Sequence, residues 1–216
     1  MLENRQKSQI VIIGSGGHAS SIIDILKFSE DREIWGVVSL ELKESSNLDG
    51  ITVVGDDSCL GELIQRQFSF VIAVGQISSS EIRYKLFKKL EESKADIPVI
   101  ISPDAYVSPR AFIGRGTVVF HRVVINSNAR IGENCILNNM CLIEHDAVIG
   151  SHTHVSTGAI INGNAHVGSH CFIGSGSIIS NNVSICDSVI LGAGSNVVKD
   201  IKEQGVYFGN PAKKSK

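Results

Sequence analysis

The sequence has little net charge and no long apolar run. Twenty Lys and Arg against twenty-two Asp and Glu leave −2 over 216 residues, and the only basic run is AKKSK near the end. A nucleic-acid partner needs a basic stripe to displace counterions from phosphates, so that class has no electrostatic support. No apolar stretch approaches the roughly 20 residues that span a bilayer, and the opening MLENRQKSQIVIIG lacks a signal peptide's apolar core. No membrane association is expected. The five cysteines (Cys59, Cys135, Cys141, Cys171, Cys186) contain no CxxC pair. An odd count without a secretion signal predicts reduced thiols in a soluble cytoplasmic protein. The length allows one large domain or two small ones.

What the sequence has is a period of six. Every sixth residue from Ile101 to Val197 is Ile, Leu or Val, seventeen in succession without a slip. Four residues after each comes a small or branched residue, such as Ala129, Cys135, Cys141, Ala147, Thr153 or Ala165. The position before that one is rich in types that tolerate left-handed backbone: Asn128, Asn134, Asp146, His152, Gly158, Asn164, His170, Gly176. A six-residue unit cannot bury its own apolar face, but stacked coils of such units can.

Three hexads per coil would align residues eighteen apart. On that register the outward column of one face reads Tyr106, Val124, Leu142, Ile160, Ile178, and a second reads Val118, Ile136, His154, Phe172, Ile190. The third is more polar: Phe112, Arg130, Val148, His166, Ser184. Two outward apolar columns would be costly in water and predict buried contacts. A threefold oligomer would bury both; packing of the N-terminal region would cover one.

The first hundred residues alternate strand and helix patterns. IVIIG, IWGVV, GITVVGDD and SFVIAVG read as strands; the stretch after SGGHAS, CLGELIQRQ and EIRYKLFKKLEES read as helices. This order predicts a small parallel α/β domain over residues 1–97, then a solenoid over 98–202 and a tail over 203–216. Gly14, Gly16 and Ala19 fit G-x-G-x-x-A, and Glu41 follows at about the ribose-acid distance. The chain offers only about half of a doubly wound sheet before the repeat begins, which argues against NAD. A glycine turn opening a helix still offers backbone N–H groups to a phosphate, unless it is a purely structural turn.

The hexad pattern resembles the hexapeptide-repeat acyltransferases, whose β-helix is left-handed and triangular in section. With GSGGHAS, AVGQISSSEIR, EHDAVIGSHTHVSTGAIINGN and GNPAK, nearly the whole chain resembles the sialic acid O-acetyltransferase-like family, closest to its nucleotide-sugar N-acetyltransferases. The resemblance implies a Rossmann-like N-terminal domain that holds a nucleotide-linked sugar at Gly16, Gly17, His18 and Gly75. It implies acetyl-CoA as co-substrate beside His154, Gly163, Ser175 and Ala193, between the subunits of a homotrimer. It places the catalytic base on His145 and its acidic helper on Asp146. Relatives carry an acidic pair after the second strand, where this chain has VVSLEL, so Ser39 or Glu41 would stand in for that contact.

The register puts Gly163 above His145, which leaves room for a thioester. His152 and His170 fall on the turn position and read as structural. Three alternatives to an amino-sugar N-acetyltransferase remain open. O-acetylation of a sugar hydroxyl would use the same base. A zinc enzyme like the hexapeptide carbonic anhydrases would use His145, His152 and His154. His152 and His154 lie on a different hexad from His145, without evident supporting acids, so no metal is expected. The third is a non-catalytic nucleotide-sugar-binding scaffold.

Overall fold

The computed structural model describes residues 7–215; the opening MLENRQ and the last residue lie outside that range. The first domain is a five-stranded sheet. Strand β1 (Ser8–Ile13) leads through a glycine turn into α1 (Gly17–Lys27), followed by β2 (Arg32–Val38), β3 (Asn47–Leu48) and β4 (Ile51–Gly55). Then come α2 (Leu60–Gln65), β5 (Ser69–Ile72) and α3 (Glu81–Glu92). The spatial order is β3-β4-β2-β1-β5, parallel throughout except for the short hairpin of β3 with β4.

Alternation along β1 sorts its side chains to two cores, as period-2 geometry requires. Val11 and Ile13 pack with α2 and α3 through Leu60, Leu63, Phe87 and Leu90. Ile10 and Ile12 join Ile22, Ile23 and Leu26 of α1, and that core continues into Ile100, Val118, Phe120 and Ile136 of the second domain. The two domains therefore share one apolar core.

The second domain is a left-handed parallel β-helix of two-residue strands. Its first face stacks Ile100–Ile101, Val118–Val119, Ile136–Leu137, His154–Val155, Phe172–Ile173 and Val189–Leu191. The second runs from Tyr106–Val107 through Leu142–Ile143 to Asn196–Val197, and the third from Phe112–Ile113 through Val148–Ile149 to Ser184–Ile185. Leu142 pairs with Ile160 and His154 with Phe172, the eighteen-residue register expected. Inward aliphatics such as Ile125, Ile143 and Ile161 are fully buried, each contributing about 1.5–3 kcal/mol of transfer free energy. The turn position carries the left-handed geometry its composition predicted, with φ of 61° at Asn128, 61° at Asp146, 60° at His152 and 55° at Asn164.

Of the two outward apolar columns, the α/β domain covers the first face, where Val118 and Ile136 are inaccessible. The second-face column has no cover among the described residues: Tyr106 and Ile178 are exposed, and Val124, Leu142 and Ile160 half-buried. The segment expected as a tail does not trail free. Gly205–Phe208 pairs in parallel with Val189–Leu191, and Lys213–Lys214 folds back on it, because Val206 and Tyr207 continue the ladder one coil further.

Candidate active site

Two sites emerge, one in each domain. In the first, the turn after β1 opens α1 with no acidic residue in the first helical turn, so no carboxylate of that turn competes for its N–H groups. Gly14 has φ 115°, and a side chain there would meet the main chain of Ala73 at 3.0 Å; only glycine makes this turn. Nothing lies within 4 Å of a side chain built at Gly16 or Gly17, so the helix start opens onto free space.

That space is a cavity of about 490 Å³ at the carboxyl ends of β1, β2 and β5, lined by Gly14–His18, Glu41, Asp57, Gly75, Ile82 and Leu86 among others. Gly16, Gly17, His18 and Gly75, the residues expected for a nucleotide, are thus together. His18 has a buried Nε2 with no hydrogen-bond partner among the described residues. Burial, then the nearby Arg83 and His154, push its pKa down to about 3, so the ring is neutral.

The stretch VVSLEL separates into two roles. Ser39 is buried; its Oγ lies 2.6 Å from Ser15 Oγ and accepts the N–H groups of Glu41 and Leu42 at 3.1 and 2.9 Å. It ties the loop after β2 to the glycine turn. Glu41 lines the cavity, together with Val38 and Leu40.

The second site is the corner between the second and third faces. After Leu142–Ile143 the chain turns through Glu144, His145 and Asp146 before Val148–Ile149. His145 Nδ1 lies 2.9 Å from Asp146 Oδ2, and Asn128, one coil below, donates to Asp146 Oδ1 at 3.1 Å. Those two bonds, the histidine first, hold Asp146 below the usual carboxylate range. Asp146 therefore fixes the tautomer of His145 with the proton on Nδ1, which leaves the Nε2 lone pair free. Directly above stands Gly163: a side chain there would come within 2.9 Å of both Cε1 and Nε2 of the ring. The glycine keeps that nitrogen open. The register argument had placed it there.

The other expected residues lie elsewhere on the prism. Ser175 and Ala193 sit on the corner between the first and second faces, where Ser175 Oγ is 2.9 Å from Ser156 Oγ. One chain does not bring them to His145. His154 stands on the first face, 7% exposed, with Nδ1 2.6 Å from the main-chain oxygen of Gln76. Its burial, expected from a neighbouring subunit, comes from the chain's own α/β domain. Burial, opposed by that bond and assisted by Arg83, lowers its pKa to about 4. His152 and His170 stack at 4.9 Å beneath Tyr84. Among the described residues no three His, Cys, Asp or Glu side chains converge as a metal set.

Sequence reasoning missed two residues at the seam between the domains. Arg83 is fully buried with no carboxylate partner; main-chain oxygens of Ile72, Val74, Gly116 and Asn134 accept its N–H groups. The signal was its phase, since Arg83 shares the buried stripe of α3 with Phe87 and Leu90. Gln76 is the other.

A Rossmann-like domain with an open cavity, set against a hexapeptide prism carrying a His–Asp corner, defines a two-domain hexapeptide acyltransferase. Residues 9–90 match the family described as the PglD N-terminal domain, and residues 98–205 that described as the GMPPB C-terminal domain. A histidine-to-asparagine variant of perosamine N-acetyltransferase from Caulobacter crescentus, solved with CoA and GDP-perosamine, is 30% identical with 97% of each chain covered and a TM-score of 0.90. The acetyltransferase domain of PglB from Neisseria gonorrhoeae FA1090, solved with acetyl coenzyme A, is 28% identical, covers 97% of this chain and 100% of that one, and has a TM-score of 0.89. UDP-N-acetylbacillosamine N-acetyltransferase of Bacillus subtilis (strain 168) is 31% identical over 113 residues, 51% of this chain and 50% of that protein's length. The chain belongs to the hexapeptide-repeat nucleotide-sugar N-acetyltransferases.

Proposed function

We propose that the protein transfers an acetyl group from acetyl-CoA to the amino group of a nucleotide-linked amino-sugar, with His145 as general base. The observation that carries this reading is the His145 ring, tied through Nδ1 to an ionised Asp146 and left open at Nε2 by Gly163. A sugar amine must lose a proton to attack a thioester, and a neutral imidazole is suited to take it. In the reaction the amine nitrogen bonds to the acetyl carbon while Nε2 takes its proton, and Asp146 stabilises the imidazolium. The tetrahedral adduct then collapses, the C–S bond breaks, and the thiolate of CoA recovers that proton. No acyl-enzyme is needed.

The nucleotide end fits the α/β cavity: the α1 N-terminus offers N–H groups to a diphosphate, and His18 Nε2 has no hydrogen-bond partner among the described residues. The donor groove is assigned to Gly163, His154, Ser175 and Ala193. Since the last two lie on another corner, the site closes only when a second copy brings its corner to His145. The uncovered column from Tyr106 to Ile178 is the surface for that contact, in a homotrimer. No helix among the described residues is long and apolar enough to cross a membrane, and the cysteines are free thiols. Both features fit work in the cytoplasm.

The test is release of CoA from acetyl-CoA with UDP-, dTDP- and GDP-linked 4-amino-sugars, comparing the native protein with His145→Asn. Turnover with one nucleotide class, lost in the variant while CoA still binds, is expected. Unchanged kcat in the variant, or no release with any acceptor, would overturn the proposal.

A further inference from the structure

The segment that leaves β5 forms the cavity wall through Ala73, Val74 and Gly75, and the next residue is Gln76. Gln76 is 3% exposed, and its hydrogen bonds to described residues go to the solenoid around His154. Its side-chain Nε2 donates to the main-chain oxygen of His152 at 2.8 Å and to that of Cys171 at 3.3 Å. The Cys171 oxygen also accepts the main-chain N–H of His154, at 2.9 Å. Gln76's own main-chain oxygen meets His154 Nδ1 at 2.6 Å. The contacts therefore bracket His154 on three sides: the residue two before it, its strand partner's neighbour, and its ring.

Their polarity settles the donors. Both hydrogens of the Gln76 amide point at carbonyl oxygens, so the reversed orientation would set oxygen against oxygen. A carbonyl can only accept, so the proton of His154 is on Nδ1. Its Nε2 is then a bare acceptor, with Asn138 Nδ2 the nearest recorded donor at a long 3.5 Å. The Asn138 amide is itself oriented, because its Oδ1 accepts the N–H of Asn139 at 2.8 Å. A buried ring nitrogen whose lone pair is so weakly used gains from a better donor.

We propose that Gln76 is a positioning residue for the acetyl-donor side of the site, holding His154 as the Nδ1–H tautomer so that Nε2 accepts a hydrogen bond from an amide N–H of acetyl-CoA. This rests on the function proposed above. The same residue follows the wall of the nucleotide cavity, so one short segment sets both substrate sites relative to each other. The low pKa of His154 agrees with the geometry, since burial and Arg83 both disfavour the doubly protonated ring.

The first measurement uses the native protein with ¹⁵N-labelled histidine. His154 is expected as the Nδ1–H tautomer between about pH 5.5 and 8, with its Nε2 resonance displaced when CoA is added. An Nε2–H tautomer, or an Nε2 signal indifferent to saturating CoA, overturns the proposal. The second uses Gln76→Met, which fills the same space without either side-chain donation. The variant is expected to raise KM for acetyl-CoA about tenfold, with kcat at saturation and nucleotide-sugar affinity nearly unchanged. Unchanged KM, or parallel loss of all three quantities, overturns it. Should the variant fail to fold, the native spectrum decides. If the native protein binds no CoA at all, the proposed function fails, whereas the tautomer is still read independently.

Discussion

The corner at His145 and the seam at His154 are each built around a histidine and treat it oppositely. At the corner the side chains of His145 and Asp146 are 61% and 50% exposed, and their bonds are few and local. At the seam His154, Gln76 and Arg83 are buried, and each makes at least one bond that crosses from one domain to the other. Water can replace a lost partner at the corner but not at the seam. Substitutions at the corner should therefore damage chemistry and spare stability, while those at the seam should do the reverse or shift binding.

The largest effect expected is at the corner. His145→Ala should lower kcat by about 10³-fold, within the range of a positioned general base, while thermal stability stays near native. An equal loss of stability would erase the contrast between the regions. The seam counterpart is Arg83→Met. Removing the guanidinium leaves main-chain oxygens of both domains buried without donors, and a cost of about 2–4 kcal/mol is expected in urea unfolding.

Proton linkage separates the regions next. Burial, with smaller contributions from neighbouring charges, lowers the pKa of His154 and His152 to about 4 and that of His18 to about 3, from 6.5. As pH falls below about 6.5 the unfolded chain takes up protons that the folded chain refuses, so stability falls towards pH 4. Between pH 7 and 5, His154 alone should account for about 2 kcal/mol. The unfolding midpoint in urea should drop over that window, and His154→Gln should flatten the slope. A midpoint independent of pH there would mean that the seam is wet.

The two regions also differ in how far the sequence reveals them. The corner was legible because the six-residue period assigns each position a direction. His145 outward, Asp146 in the left-handed turn and Gly163 above the ring all follow from counting. The period likewise identified both outward apolar columns. It could not say which column the α/β domain covers, because that depends on how two domains with unrelated patterns dock. The seam was illegible for the same reason: Gln76 meets residues 76 to 95 positions away, and no local periodicity encodes such a pairing. Arg83 alone left a trace, as a charge in phase with a buried helical stripe. The short strand at 205–208 escaped because it extends the ladder outside the hexad phase.

Gly163→Ala sharpens the corner itself. The backbone there is not left-handed, so alanine brings no dihedral strain, and the added methyl meets the His145 ring first, with Asn181 Nδ2 next at 3.2 Å. At 2.9 Å from Cε1 and Nε2 the ring must tilt, and kcat should fall about tenfold to a hundredfold, with stability changed little. A variant with native kcat would show that the ring has freedom the proposed geometry denies it.

The smallest effect tests the role of water most directly. Asn128 donates to Asp146 Oδ1 at 3.1 Å, a bond no longer or weaker in geometry than Arg83's bond to Gly116 at 3.3 Å. The difference is exposure. Asn128 has φ 61°, so glycine is the replacement that removes the amide without straining the turn. Water can then hydrogen-bond to Asp146 Oδ1, while Oδ2 keeps its hold on His145 Nδ1. Asn128→Gly should lower kcat no more than about threefold and shift unfolding by less than about 0.5 kcal/mol, the scale of an exposed bond. A loss rivalling that of Arg83→Met would mean that the neighbouring copy proposed to close the site also seals Asp146 from water, whereas a small loss would mean that the Asp146 side stays open in the assembly. Sedimentation of the variant would then show whether that cover is present.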